Sequence, residues 1–294
     1  FQYETSLSPS SATLTIVNNN AAGVGFNDPA AAFANPEGGN TGATRGQQRL
    51  NVFNQAAIIW GAFLDSSVPI NIQAAMINQT CSTSGAVLGS AGATTIHGNF
   101  ANAPFTNTWY NQALANKISG SDLSAVNPDI NANFNLDIDT GCLAAGSRWY
   151  YGFDNATPSL RINLLVVLLH EMGHGLGFQT FANGSTGALN GGFPDQWSRK
   201  MFDNTTGLHW DAMSNAQRQA SAVSNGALRW DGASVVLSAT TYLSAGKDAQ
   251  NRPELYAPAV FSGGSSVSHY STLATPNVLM EPAINTGLPI DLDL

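Results

Sequence analysis

The feature that most constrains this chain is an apolar segment that ends in two histidines, LLVVLLHEMGHGLGF at positions 164–178. A helix that is apolar all round lies either in a protein core or in a membrane. The uninterrupted apolar run is far shorter than the roughly 20 residues that cross a bilayer, so we predict a buried core helix. We expect Thr157 and Pro158 to begin this helix and Gly177 to end it with a left-handed cap.

The same helix carries the pattern His-Glu-x-x-His at His170, Glu171 and His174. Residues four apart on a helix lie about 40° from each other around its axis, so both imidazoles can bind one zinc ion with the glutamate beside it. The alternative is a pair of core histidines that bond only to backbone carbonyls. It explains the pattern less well, because a glutamate stands with the two histidines on a buried, glycine-terminated helix.

The overall charge limits the kinds of partner. The formal net charge is -8, only 10% of the 294 residues are charged, and no basic cluster appears. This composition argues against binding to nucleic acid or to an anionic membrane surface. With no apolar stretch long enough to span a bilayer, we also expect no membrane span.

Cys81 and Cys142 are the only cysteines, and both stand in polar segments rich in glycine, serine and threonine. We predict that they form one disulfide in an oxidising compartment, while a reducing compartment would leave two free thiols. The chain starts at Phe1 without a signal peptide, as a processed secreted protein does. We therefore expect a secreted, extracellular protein.

The pattern of apolar residues predicts an α+β fold with a mixed, twisted sheet. We place a sheet and two long helices, at 44–65 and at the histidine motif, in an upper part formed by residues 1–177. Residues 178–294 form an irregular lower part with a long insertion. The predicted strands are 12–17, 68–74, 94–100, 132–138 and 235–237, and the predicted minor helices are 109–114 and 211–225.

A catalytic zinc site needs three protein ligands and one open position, so a third ligand must lie elsewhere in the chain. In one large group of zinc proteases it falls three residues after the glycine, where this chain has Thr180. His269 is the strongest candidate, because few other histidines and glutamates remain in the chain. His209 and Glu254 stay open as alternatives, and His97 is expected on the surface.

The motif at 170–177, the distant His269 and the methionine turn resemble the metzincin clan of zinc endopeptidases. Within that clan, HEMGHGLGF and SHYSTLATPNVLMEP are most similar to leishmanolysin-type proteases and their bacterial secreted relatives. The similarity is specific over about residues 149–178 and 262–283. It is weaker over the helix at 44–65 and the strands after it, and absent elsewhere. Because no internal repeat or long linker appears, we expect a single catalytic domain over residues 1–294, and the resemblance implies zinc in the cleft between the upper and lower parts.

Carried onto this sequence, the resemblance implies one catalytic zinc bound by His170, His174 and His269, with Glu171 as the general base and Met280 as the turn methionine. Some other metzincins have a tyrosine two residues after that methionine, where this chain has Pro282. Calcium is also left open and cannot be assigned, since the candidate carboxylates fit no recognised loop: Asp137, Asp139, Asp291 and Asp293.

These observations predict a secreted zinc endopeptidase that acts on proteins or peptides, with the substrate extended along the strand at 94–100. The alternative is a non-catalytic secreted adhesin or binding module with a structural zinc. Glu171 discriminates between them, because a structural site normally has four protein ligands and no use for an adjacent carboxylate. The sequence gives no indication of the oligomeric state.

Overall fold

The computed structural model describes residues 11–284 and 288–294, so Phe1 lies outside the described residues. The described helices are α1 (Arg45–Phe63), α2 (Gln112–Ser119), α3 (Leu164–Leu176), α4 (Asn215–Ser221) and α5 (Ala233–Tyr242). The described strands are β1 (Leu14–Asn18), β2 (Ile70–Ile77), β3 (Cys81–Ser82), β4 (Gly85–Ala86), β5 (Gly89–Ala93), β6 (Ile96–His97), β7 (Tyr110–Asn111), β8 (Ile130–Asn135), β9 (Arg148–Tyr150), β10 (Arg161–Asn163), β11 (Met201–Asp203), β12 (Leu208–His209) and β13 (Leu228–Trp230).

The main sheet has four strands in the order β1-β2-β8-β5. The first three are parallel to one another, and β5 runs antiparallel to β8 at one edge. Ile130, Ala132 and Phe134 alternate toward the core on β8 and are fully buried, as a half-buried strand requires. The predicted α+β class and the mixed sheet are confirmed.

The two long helices pack on this sheet and on each other: α1 contacts β1 and α3, while α3 lies against β5 and β8. Thr44 begins α1, because its side chain accepts a hydrogen bond from the Gln47 amide. Every residue from Leu164 to His170 is buried, so α3 is the core helix that its sequence predicts. No helix within the described part of the chain is both long and apolar enough to cross a bilayer.

The part of the chain after α3 consists of long loops, two short helices and a small antiparallel sheet in the order β12-β11-β13. The polar helix predicted at 211–225 is present as the shorter α4. The strand predicted at 235–237 is wrong, because these residues lie inside α5. The division of the chain at residue 177 stays a prediction.

The edge strand of the main sheet was predicted in the wrong place. Residues 94–100 do not join the sheet; Ile96–His97 pairs instead with Tyr110–Asn111 outside it. The edge position belongs to Gly89–Ala93, where an added Cβ at Gly89 would lie 2.6 Å from the Phe134 ring. A glycine therefore lets this strand lie close over a core aromatic residue.

Cys81 and Cys142 form the predicted disulfide, with their Cα atoms 5.7 Å apart. It joins β3 to the loop after a short 3-10 helix at Leu136–Thr140, which follows β8. The bridge therefore connects the two segments that leave the adjacent central strands β2 and β8.

Candidate metal centre

The helix that carries the motif starts and ends at defined points. Asn163 is its N-cap, and its side-chain oxygen accepts hydrogen bonds from the amides of Leu165 and Val166. The predicted start at Thr157 and Pro158 is wrong, because β10 occupies the residues between them and the helix. Gly177 follows the last helical residue with φ at +132°, in the region that glycine favours, so the predicted glycine cap is present.

His170, His174 and His269 meet although 95 residues separate the second from the third. Their Nε2 atoms lie 3.2 Å apart for His170 and His174, 3.1 Å for His174 and His269, and 3.2 Å for His170 and His269. His269 reaches α3 on a loop segment held by backbone bonds, among them one from the Tyr270 amide to the Met280 carbonyl. All three imidazoles are buried.

The hydrogen bonds of the three Nδ1 atoms show which nitrogen of each ring carries the proton. Each Nδ1 lies 2.7 or 2.8 Å from a backbone carbonyl: Leu279 for His170, Phe178 for His174 and Ser265 for His269. A carbonyl only accepts hydrogen bonds, so each Nδ1 carries the proton and each Nε2 of the neutral ring presents a lone pair. Three lone pairs therefore converge in a buried space, and they cannot donate hydrogen bonds to one another.

This donor set fits zinc. Tetrahedral Zn–N bonds of about 2.0–2.1 Å place neighbouring ligand nitrogens about 3.3 Å apart, close to the observed separations. The carbonyls at Nδ1 are the outer partners that histidine ligands of metals normally have. The three buried acceptors thus have the spacing, tautomer and orientation of ligands to one cation.

Burial also keeps these imidazoles neutral. It lowers the pKa of His170, and together with charge repulsion between the rings it lowers the pKa of His174 to about 3 and that of His269 to about 2. A histidine binds a metal only when it is unprotonated. The cluster is therefore ready to receive a cation at neutral pH without first losing a proton.

Glu171 lies next to the histidine cluster and lines the same cleft, and it is less buried than its helical neighbours. Burial raises the pKa of its carboxyl to about 8, and a hydrogen bond with the Ala91 backbone offsets part of that rise. A nearby metal cation favours the charged carboxylate and lowers this pKa again. The side chain can therefore exchange a proton near neutral pH.

Met280 lies beneath the histidine cluster. Its sulfur is 3.0 Å from the position that a Cβ on Gly173 would take, within the turn of α3 between the two motif histidines. The preceding residue, Leu279, supplies the carbonyl that fixes the His170 ring. The segment predicted as a methionine turn thus supports one of the candidate ligands directly.

The histidines and Glu171 face an open cleft of about 1130 Å³. The edge strand β5 lines it; next to its two ends, the Leu88 carbonyl accepts a hydrogen bond from the Asn135 amide and the Thr94 amide donates one to the Asp129 carbonyl. Backbone groups of a strand alternate in direction, so those of Gly89, Ala91 and Ala93 point away from β8. This free edge can accept one more extended chain beside the histidine cluster.

The other candidate ligands lie elsewhere. Nε2 of His209 hydrogen bonds with Asp231 and the side chain is about one-third exposed, and Glu254 pairs with Arg229 at 2.9 Å. His97 lies in the small pairing of β6 with β7 and does not join the cluster. The structure therefore groups His269, rather than His209 or Glu254, with the two motif histidines.

The carboxylates considered for calcium are engaged in other contacts. Asp139 accepts hydrogen bonds from Arg49 and Tyr151, and Asp293 accepts one from the Leu279 amide. Within residues 11–284 and 288–294, the histidine cluster is the only group of three or more ligand-type side chains close enough to hold one ion. Calcium binding thus stays unassigned.

Two contributors to the site were missed from the sequence. Asn163 precedes the apolar run immediately and is among the residues most favoured at an N-cap, so its position was a usable signal. The edge strand Gly89–Ala93 gave no such signal, since it contains no β-branched or aromatic residue.

No protein-family model, curated protein or solved structure matches this chain. The geometry of the cleft must therefore support any assignment of function by itself. What it establishes is a buried group of three histidines that can hold a metal ion, beside a carboxylate and an open strand edge.

Proposed function

We propose that this protein is a secreted zinc-dependent endopeptidase of the metzincin type. The observation that carries the proposal is the convergence of three unprotonated, buried Nε2 atoms within 3.2 Å of one another, beside Glu171. Three histidines leave a fourth position open on a tetrahedral ion, as catalytic zinc sites require, whereas a structural site is closed by a fourth protein ligand. The disulfide is compatible with secretion.

His170, His174 and His269 would hold the ion, which when bound supplies Lewis acidity that polarises a carbonyl and acidifies water. Glu171 would act as the general base, taking a proton from the attacking water and later delivering it to the leaving amine. A general base must be unprotonated to take the proton, and a nearby metal cation favours this charged form of the carboxylate.

The substrate backbone would extend along β5, where the outward backbone groups of Gly89 and the outward carbonyl of Ala91 offer hydrogen bonds to an antiparallel or parallel chain. Such pairing recognises any extended peptide, because it uses the main chain alone. It also holds a scissile peptide bond near the histidines and excludes folded segments. Unfolded or flexible proteins are therefore the expected substrates.

The test is digestion of unfolded casein, with internal cleavage sites read by mass spectrometry. Chelation should abolish cleavage and added zinc should restore it; His174→Ala should be inactive and His209→Ala active. Binding of one zinc without cleavage of any protein would instead support a non-catalytic secreted module. Cleavage that persists in His174→Ala would contradict the proposed site.

A further inference from the structure

A positively charged side chain lines the cleft. Arg161 is the only lysine or arginine that lines it among the described residues. The residue is on β10, directly before the helix that carries the histidine motif, and it is partly exposed. Its position places a permanent positive charge on the wall that a bound peptide would pass.

The guanidinium of Arg161 is anchored on one side only. Its Nη1 donates to the backbone carbonyls of Gly146 and Leu160, whereas Nε and Nη2 have no acceptor in the described part of the chain. Two anchoring bonds limit the movement of a long side chain, so less entropy is lost when a ligand binds. The free donors can bond a carboxylate through two parallel hydrogen bonds.

Arg161 lacks the ion pair that most arginines of this protein form. No carboxylate of the described residues forms an ion pair with it, although five other arginines are ion-paired: Arg49, Arg148, Arg199, Arg229 and Arg252. Among the described residues, the guanidinium that lines the cleft is thus one of those without an anionic partner.

The backbone next to Arg161 is strained at one residue. Leu160 has φ at +60°, in the left-handed region that non-glycine residues rarely adopt. Its side chain lines the cleft and is 59% exposed. Strained residues of this kind cluster at binding sites, where the conformation presents a group to a ligand.

We propose that Arg161 is a specificity-determining residue that binds an acidic side chain of the substrate near the scissile bond, since it lines the same cleft as the three histidines. This inference rests on the proposed endopeptidase function. It adds the substrate class: flexible protein segments that carry aspartate or glutamate near the cleavage site.

The experiment uses the zinc-loaded protein and quenched peptides with one fixed cleavage site, identified first in casein. Each of the three positions on either side of that site is occupied in turn by Asp, Glu, Asn or Gln. At one position we expect kcat/KM to be about tenfold higher for the acid than for its amide, as a charge-assisted hydrogen bond provides. Arg161→Gln should lose this preference, so that its kcat/KM values for the acid and amide peptides become equal.

A second variant separates recognition from folding. Arg161→Lys keeps the charge without the planar fork, so we expect a smaller but persistent acid preference. Equal rates of the parental protein on acid and amide peptides at every position would overturn the role of Arg161. An unchanged acid preference in Arg161→Gln would overturn it too. Neither result would contradict the endopeptidase function. Failure of the parental protein to cleave any peptide or casein would overturn both proposals.

Discussion

Replacing Glu171 by glutamine should stabilise the metal-free protein at neutral pH. Burial raises the pKa of this carboxyl from 4.5 to about 8, so the folded protein holds the proton more tightly than the unfolded chain. The stability that depends on this proton is fully present below about pH 4.5 and is lost as the pH rises toward about 8. Glutamine has nearly the same shape and does not titrate.

The size of the effect follows from the shift. At about pH 7.5, three pH units above the unfolded pKa, about 1.4 kcal/mol per unit gives an upper bound of about 4 kcal/mol. Glu171 is partly exposed to the cleft, and water there reduces the cost of its charge. We therefore expect Glu171→Gln to raise the free energy of unfolding by about 2 kcal/mol at that pH, and by almost nothing near about pH 4.5.

The assay is urea denaturation of the metal-free parental protein and variant at both pH values. Glu254→Gln is the matched control, and we expect the opposite change in the free energy of unfolding. Glu254 pairs with Arg229 at 2.9 Å, so loss of this ion pair should destabilise the protein. With zinc restored, Glu171→Gln should retain the ion and lose a factor of about 10²–10⁴ in kcat. A variant that is less stable than the parental protein at the higher pH would refute the argument from burial.

Three further predictions concern the metal and the framework. His269→Ala should bind zinc far more weakly than the parental protein in competition with a chelator, while His209→Ala should bind it unchanged; equal affinities would remove His269 from the site. Asn163→Ala should cost about 1–2 kcal/mol of stability by removing two capping bonds, and a neutral result would contradict its role as the N-cap. Replacing Cys81 and Cys142 by serine should cost about 4 kcal/mol, as expected for a sequence separation of 61, and an unchanged urea midpoint would contradict it.

The sequence predicted the parts of the site that depend on residue type and spacing. Two histidines four apart on an apolar helix must share a face, and His269 was selected because few other ligands remained and Met280 followed it. The structure places all three imidazoles together, and it pairs the two cysteines as predicted.

The missed elements depend on contacts that local sequence does not encode. Gly89–Ala93 has little intrinsic strand preference and becomes a strand because its backbone pairs with β8. Val235 and Val236 favour a strand by their branching, yet they lie in α5, and a short apolar run does not distinguish between the two structures. In both cases the tertiary environment overrides local preference.

The most direct test of the central claim is anomalous diffraction at the zinc edge from crystals of the protein purified without added chelator. We predict a single strong peak about 2.0–2.1 Å from Nε2 of His170, His174 and His269, with no fourth protein ligand. Absence of a peak at the three histidines, or a peak with a fourth protein ligand bound, would contradict a catalytic zinc site.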